Sequence, residues 1–263
     1  MKRLWYVLLL LLAIGGAAFL FLVSRPAPAP AADAQTLRVA NGLLESGQAA
    51  DATLMYEQLV SQGIRSADVY YNLGNAYFSQ GNLGQAILNY RRAQALAPRD
   101  EDVRANLSLA RAQANQTLDA SPATPMFRVT RLLESWLTLS ETAAGALGLL
   151  AAFALLFIIA RRLEPGFPRR LSRLALILVA VLMVAGVAAF GSRMIVQAAQ
   201  PAGVVIVGDA PLKVSPDADS APASLPGGTE VRVVAEQDDW VQVVFSSGQR
   251  QGWLPKTSVA VVS

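Results

Sequence analysis

Residues 70–98, YYNLGNAYFSQGNLGQAILNYRRAQALAP, decide how the first half of this chain folds. The segment repeats an earlier one at a period of about 34 residues, the length of a known class of helical repeat. In this alignment Asn41, Gly47, Ala52 and Tyr56 match Asn75, Gly81, Ala86 and Tyr90. Repetition at this period predicts stacked helix pairs that share one core.

The second copy carries the more complete pattern, and it resembles the tetratricopeptide repeat. Its residues are Tyr70-x-x-Leu73-Gly74-x-x-Tyr77, followed by Ala86, Tyr90, Ala93 and Pro98. Gly74 and Ala86 are predicted to be small because paired helices approach each other there, and Tyr77 and Tyr90 to fill the gaps between helices. With a last helix predicted over 103–116, the repeat domain is expected to cover residues 35–120.

The resemblance implies that the first helix of each pair lines a groove that binds an extended peptide or a helix. The residues expected to face this groove are Leu37, Asn41, Leu44, Glu45, Asp68, Tyr71, Asn75, Phe78 and Ser79. Asn41 and Asn75 are expected to hydrogen-bond a partner's backbone, with Tyr71 and Phe78 supplying apolar contact. Alternatively, the asparagines satisfy neighbouring helix ends.

From Val204 onward the sequence changes to short β-branched stretches divided by Gly, Pro and Asp, which is typical of a small β-barrel. Strands are predicted over residues 203–207, 212–214, 230–235, 240–245, 252–254 and 259–262, with Val231, Val233, Val241 and Val243 facing inward. The stretches 212–216, 225–231, 239–243 and 252–255 resemble a bacterial SH3-like domain over residues 201–263. Trp240 and Trp253 are its expected ligand face, and the alternative is that they belong to the barrel core.

Three uncharged apolar runs and a hydrophobic content of 53% predict a membrane protein. Residues 1–24 are predicted to be a signal anchor or signal peptide, and residues 143–160 and 174–191 transmembrane helices. Residues 161–173 contain five arginines and are predicted to be a cytoplasmic loop. Residues 25–34 read as a Pro/Ala linker and residues 126–142 as an amphipathic interfacial helix. The predicted fold class is therefore a multi-domain membrane protein with α-helical tetratricopeptide repeats, transmembrane helices and a small all-β SH3-like barrel.

The composition argues against catalysis and against nucleic-acid binding. The chain has no cysteine and no histidine, and its lysines are Lys2, Lys213 and Lys256, none of them in a Ser-x-x-Lys setting. We therefore expect no enzymatic activity, no catalytic residue, no metal site and no cofactor. Residues 33–125 hold nine acids and seven bases, and residues 201–263 hold seven acids and four bases. The net charge of +3 thus resides in the membrane-flanking segments, and no nucleic-acid partner is expected.

The order of these regions resembles BatE-type proteins of bacterial aerotolerance gene clusters. That resemblance implies a scaffold in an envelope complex, with von Willebrand A-domain membrane proteins and a MoxR-type ATPase system as partners. The arginine-rich loop puts both soluble modules on the periplasmic, external side of a bacterial inner membrane. The alternative function is a cell-wall sensor whose SH3-like domain binds peptidoglycan.

Overall fold

The computed structural model describes residues 31–114, 138–162, 166–199, 202–217, 223–245 and 250–262. The chain divides into two compact units, one with the helical repeats and the C-terminal strands and one with two long apolar helices. The predicted segment 1–24 lies outside the described residues, as do residues 25–30 of the predicted linker and residues 126–137 of the predicted interfacial helix.

Five helices form the repeat region: α1 (Ala31–Glu45), α2 (Ala49–Ser61), α3 (Ala67–Ser79), α4 (Leu83–Leu96) and α5 (Glu101–Gln113). We call α1, α3 and α5 the first helices and α2 and α4 the second helices, since α5 lies one repeat period after α3. Helices α1 and α3 are each followed closely by a glycine with positive φ, Gly47 at 80° and Gly81 at 75°. Glycine reaches this left-handed conformation without a steric penalty, so both turns are set by the sequence.

The start of α1 differs from the predicted linker, because the helix already begins at Ala31. Alanine is the strongest helix former, so the alanines at this end of the segment extend the helix. Helix α5 starts after Asp100, whose carboxylate accepts hydrogen bonds from the backbone N–H groups of Asp102 and Val103. This side-chain cap fixes where α5, the last of the three first helices, begins.

The helix pairs pack around small residues opposite buried tyrosines. A Cβ atom at Gly74 would lie 2.7 Å from the Tyr90 ring, so α3 and α4 approach too closely there for a side chain. Ala86 is fully buried, and Tyr90 is 1% exposed. The predicted roles of Gly74, Ala86 and Tyr90 in packing are confirmed.

The C-terminal strands form what we call the β-domain, residues 202–262. Its strands are β1 (Ala202–Val205), β2 (Asp209–Leu212), β3 (Ala223–Pro226), β4 (Glu230–Gln237), β5 (Trp240–Phe245), β6 (Arg250–Pro255) and β7 (Val259–Val261), with a short 3-10 helix at Lys256–Ser258. Five strands pair in the order β6-β5-β4-β1-β7, and β2 pairs with β3. Each of these pairings is antiparallel.

The β-domain has its own core, in which the four valines predicted to face inward are buried: Val231, Val233, Val241 and Val243. Gly228, with φ of 90°, makes a tight turn before β4. A second set of β-domain side chains, among them Val204 and Val262, packs with residues of α4 and α5 in a shared cluster. The helical repeats and the β-domain therefore belong to one unit.

The other unit contains α6 (Leu139–Arg162) and, as far as Met194, α7 (Phe167–Ala199). A capping box starts α6, since Thr138 Oγ1 accepts from the Glu141 N–H and Glu141 Oε2 accepts from the Thr138 N–H. In the part of the chain that is described, one helix, Ser140–Arg162, is long and apolar enough to cross a membrane, and the apolar stretch Ser172–Ala188 of α7 is shorter.

We expect Gly74→Ala to destabilise the second helix pair by about 1–3 kcal/mol, because the added methyl group overlaps the Tyr90 ring. Hydrogen exchange of α3 and α4 in the purified full-length protein would measure the loss. Gly42→Ala is the control, since a Cβ atom there meets nothing within 4 Å and alanine favours the helix by up to about 1 kcal/mol. If α3 and α4 were equally protected from hydrogen exchange in both variants, the close contact between Gly74 and the Tyr90 ring would be contradicted.

Candidate functional site

Two side-chain junctions have the same geometry. Each one links a helix pair to the first helix that follows that pair. In one, Asn75 Oδ1 accepts from Tyr90 OH at 2.8 Å and from Asn106 Nδ2 at 2.9 Å. In the other, Asn41 Oδ1 accepts from Tyr56 OH at 2.7 Å and from Asn72 Nδ2 at 3.2 Å. Every residue of the first junction lies one repeat period after its counterpart in the second, so each junction belongs to the repeat itself.

Burial moves the pKa of the junction phenols further above the physiological range. The pKa of Tyr56 is raised to about 12, mainly by burial; the Asn72 amide opposes this shift and the nearby Glu45 carboxylate adds to it. Burial also raises the pKa of Tyr90, and Tyr71 adds to the effect. Both hydroxyls therefore remain hydrogen-bond donors across the physiological pH range.

Tyr71 extends the second junction toward the surface. Its hydroxyl accepts from Asn106 Nδ2 at 2.9 Å, and its ring lies 6.0 Å from the Tyr90 ring, centroid to centroid, at a tilt of 47°. The side chain is half-buried, so one side of it packs inward while the rest remains available for contact.

The nine residues predicted to face the groove lie along one face of α1 and α3, which we call the first-helix face. Its half-buried apolar members, Leu37, Leu44, Tyr71 and Phe78, pack at the edges of two core clusters. Glu45, Asp68 and Ser79 lie nearer to solvent, and the Ser79 hydroxyl donates to the Asn75 carbonyl of its own helix. Asn41 and Asn75 are half-buried, and their side-chain oxygens serve the junctions.

Sequence reasoning missed three residues of this region. Asn72 and Asn106 complete the junctions, and the repeat alignment could have identified them because one is the repeat of the other. Leu109, one repeat period after Asn75, continues the first-helix face onto α5, and its side chain is 49% exposed. The face thus crosses three first helices.

In the β-domain, the two predicted ligand residues share the outer face of β5 and β6. Trp240 and Trp253 are half-buried and lie outside the buried core, and Gln242 pairs with Trp253 while Trp240 pairs with Pro255. Lys213 Nζ lies 4.6 Å from the Trp240 ring centroid. The face therefore offers two indole surfaces, an amide and one ammonium group.

The described residues hold no cluster of metal-ligating side chains. No three of their carboxylates converge as a metal site would require. A crevice of about 430 Å³ lies beside the α3–α4 turn and β1, and it is lined by Gly81, Asn82, Leu83, Gly84, Gln113, Ala114, Ile206, Val207, Gly208, Pro226 and Gly227. None of these residues titrates, so the crevice offers no side chain for acid–base chemistry.

Comparison with protein families matches residues 67–100, which comprise α3 and α4, to the tetratricopeptide repeat. A search of curated proteins and a search of solved structures found no match. The second helix pair is thus a repeat of the kind that typically mediates protein–protein interaction without catalysis.

We expect Asn75→Ala to lower the stability of the repeats by about 1–3 kcal/mol, because Tyr90 OH and Asn106 Nδ2 lose their shared acceptor. Hydrogen exchange of α4 and α5 in the full-length protein would report it. Ser79→Ala, a change beside it on the same helix, should shift stability by less than about 0.5 kcal/mol. If α4 and α5 in Asn75→Ala kept wild-type protection from hydrogen exchange, the Asn75 amide would not stabilise the junction and would be free for a ligand.

Proposed function

We propose that this protein is a membrane-held scaffold whose first-helix face is a groove for a partner protein. The observation that carries this proposal is the continuity of the face over three helices, from Leu37 through Tyr71 and Phe78 to the exposed Leu109. The two junctions hold these helices in register, so the face is presented without a folding step. Preorganisation of this kind lowers the entropic cost of binding.

The polar residues of the groove indicate how a partner is recognised. The oxygens of Asn41 and Asn75 are already engaged, so apolar anchors together with the rim charges Glu45, Asp68 and Asp102 contribute most of the specificity. These carboxylates favour a partner segment with basic residues beside its apolar ones.

Membrane attachment through α6 and α7 is the second part of the proposal. Large apolar side chains on both helices are exposed, including Leu150 at 51%, Phe157 at 44% and Ile177 at 61%. Exposed apolar surface of this extent is typical of a membrane-facing helix. The 33 residues of α7 give it a length of about 50 Å, more than a hydrocarbon core requires.

The unit that holds the repeats and the β-domain bears on the topology. These two regions lie before α6 and after α7 in the sequence and belong to one compact unit, which supports a topology with both on the same side of a membrane. Helices α6 and α7 then cross the membrane twice or not at all. Two crossings, with the arginines between the helices on the cytoplasmic side, give the periplasmic placement that the positive-inside rule predicts.

The complex that this scaffold serves is proposed from the order of its regions. Repeats, an apolar helix pair and a C-terminal β-domain resembling the SH3-like fold occur here in the BatE-type order. We infer an envelope complex of the Bat aerotolerance type, with von Willebrand A-domain membrane proteins and a MoxR-type ATPase system as partners.

A cell-wall-binding role is the second candidate function, and the outer face of β5 and β6 favours it. Trp240 and Trp253 both face outward there, with Gln242 beside them, and indole rings with a nearby amide suit stacking on sugar rings. In this alternative the β-domain binds peptidoglycan and the repeats hold it at a distance.

The groove is tested by photocrosslinking in living cells, with a photoreactive phenylalanine placed at Leu109 or at Leu44 of the full-length protein. We expect both positions to capture the same von Willebrand A-domain protein, because they lie on one face. The control position is Leu54, which is 62% exposed on the second helix α2. Equal capture from position 54, or no capture from the two groove positions, would contradict the groove.

Topology is tested by single-cysteine labelling, for which this cysteine-free chain is a clean background. Asp51→Cys and Val214→Cys, both exposed and both in the unit that holds the repeats and the β-domain, should react alike with a membrane-impermeant maleimide added to spheroplasts. Gly166→Cys, between α6 and α7, should react only after the membrane is permeabilised. Labelling of position 166 in intact spheroplasts would contradict the proposed orientation.

A further inference from the structure

Two leucines at equivalent repeat positions have opposite environments. Leu54 on α2 is 62% exposed, whereas Leu88, its counterpart one repeat period later on α4, is 2% exposed. Leu88 belongs to a cluster that contains Ile87, Leu107 and Ala110 from the helices and Val204, Ala260 and Val262 from the β-domain. The outer side of α4 is therefore covered, while the same side of α2 is open at this position.

Glycines allow the β-domain to approach α4 closely. A Cβ atom at Gly84 would lie 2.6 Å from the carbonyl oxygen of Val205, and a Cβ atom at Gly228 would lie 2.8 Å from Ile87 Cδ1. The equivalent of Gly84 in the first repeat is Ala50, which is exposed. The backbones of α4 and β1 thus approach each other at a position where the first repeat has a side chain.

Charge makes the contact specific for the second helix pair. Glu230, at the start of β4, lies 2.5 Å from Arg111 Nη2 and 3.5 Å from Arg91 Nε. The equivalents of these arginines one repeat earlier are Tyr77 and Glu57. Glu230 would therefore face a like charge if the β-domain docked on the first pair, which disfavours that alternative.

We propose that the β-domain is the terminal cap of the repeat array and that the two fold as one cooperative unit. Repeat arrays bury the apolar face of each unit against a neighbour, and the last unit needs a different cover. Helix α5 is the first helix of a third pair. Strands β1 and β7 pack on α4 and α5 and cover the apolar side chains that these two helices present there.

The first test uses Leu88→Ser with Leu54→Ser as the matched control, each in the full-length protein. Hydrogen exchange should become about tenfold faster or more in both α4 and β1 for Leu88→Ser, because one interface stabilises both. Leu54→Ser should leave the β-domain unchanged. If Leu88→Ser accelerates exchange in the helices while β1 and β7 keep wild-type protection, the two regions fold independently and the proposal is overturned.

The second test reverses the charges across the interface. Glu230→Arg should lower the melting temperature and speed exchange in β4 and α5, because three cations then meet. The triple variant Arg91→Glu, Arg111→Glu, Glu230→Arg should recover most of both losses, since opposite charges again face each other. A triple variant no better than Glu230→Arg would show that these side chains do not join the two regions.

Discussion

The buried ring of Tyr90 connects three helices, and the rest of the unit formed by the repeats and the β-domain depends on its position. The ring occupies the space that Gly74 leaves between α3 and α4, and its hydroxyl donates to Asn75, which also accepts from Asn106 on α5. A phenol buried without a partner would cost about 1–3 kcal/mol, so alternative helix registers are disfavoured. The position of α5 follows from this junction, and α5 in turn supplies part of the surface on which the β-domain packs.

Much of this fold can be predicted from local sequence patterns. The sequence repeat indicates the helix pairs and the buried Gly74, Ala86 and Tyr90, because helix packing constrains side-chain size at fixed positions. Alternation in β4 and β5 likewise indicates which valines face inward. Helix boundaries are less predictable, as α7 shows. Arginine is a good helix former, so the helix runs through Arg170 and Arg173, and Pro168 is tolerated in its first turn.

The candidate site is predicted less completely, because its decisive contacts join residues far apart in sequence. Periodicity indicates that Asn75 lies on the first-helix face, but whether its amide serves a ligand or a neighbour depends on Asn106, in a helix outside the matched repeat. Arg111 and Glu230 are separated by 119 positions, and no local sequence pattern contains both. Only the folded chain brings them together, so composition alone suggests two separate modules.

The packing between the repeats and the β-domain changes what a partner can recognise. Strands β1 and β7 and the outer side of α4 pack within the chain, whereas the two surfaces proposed for binding, the first-helix face and the β5–β6 face with Trp240 and Trp253, lie outside this contact. Two surfaces on one compact unit can engage a single large partner without the entropic cost of ordering a linker. A partner bound at the first-helix face would also stabilise the β-domain, because whatever holds α5 in place strengthens the surface on which β1 packs.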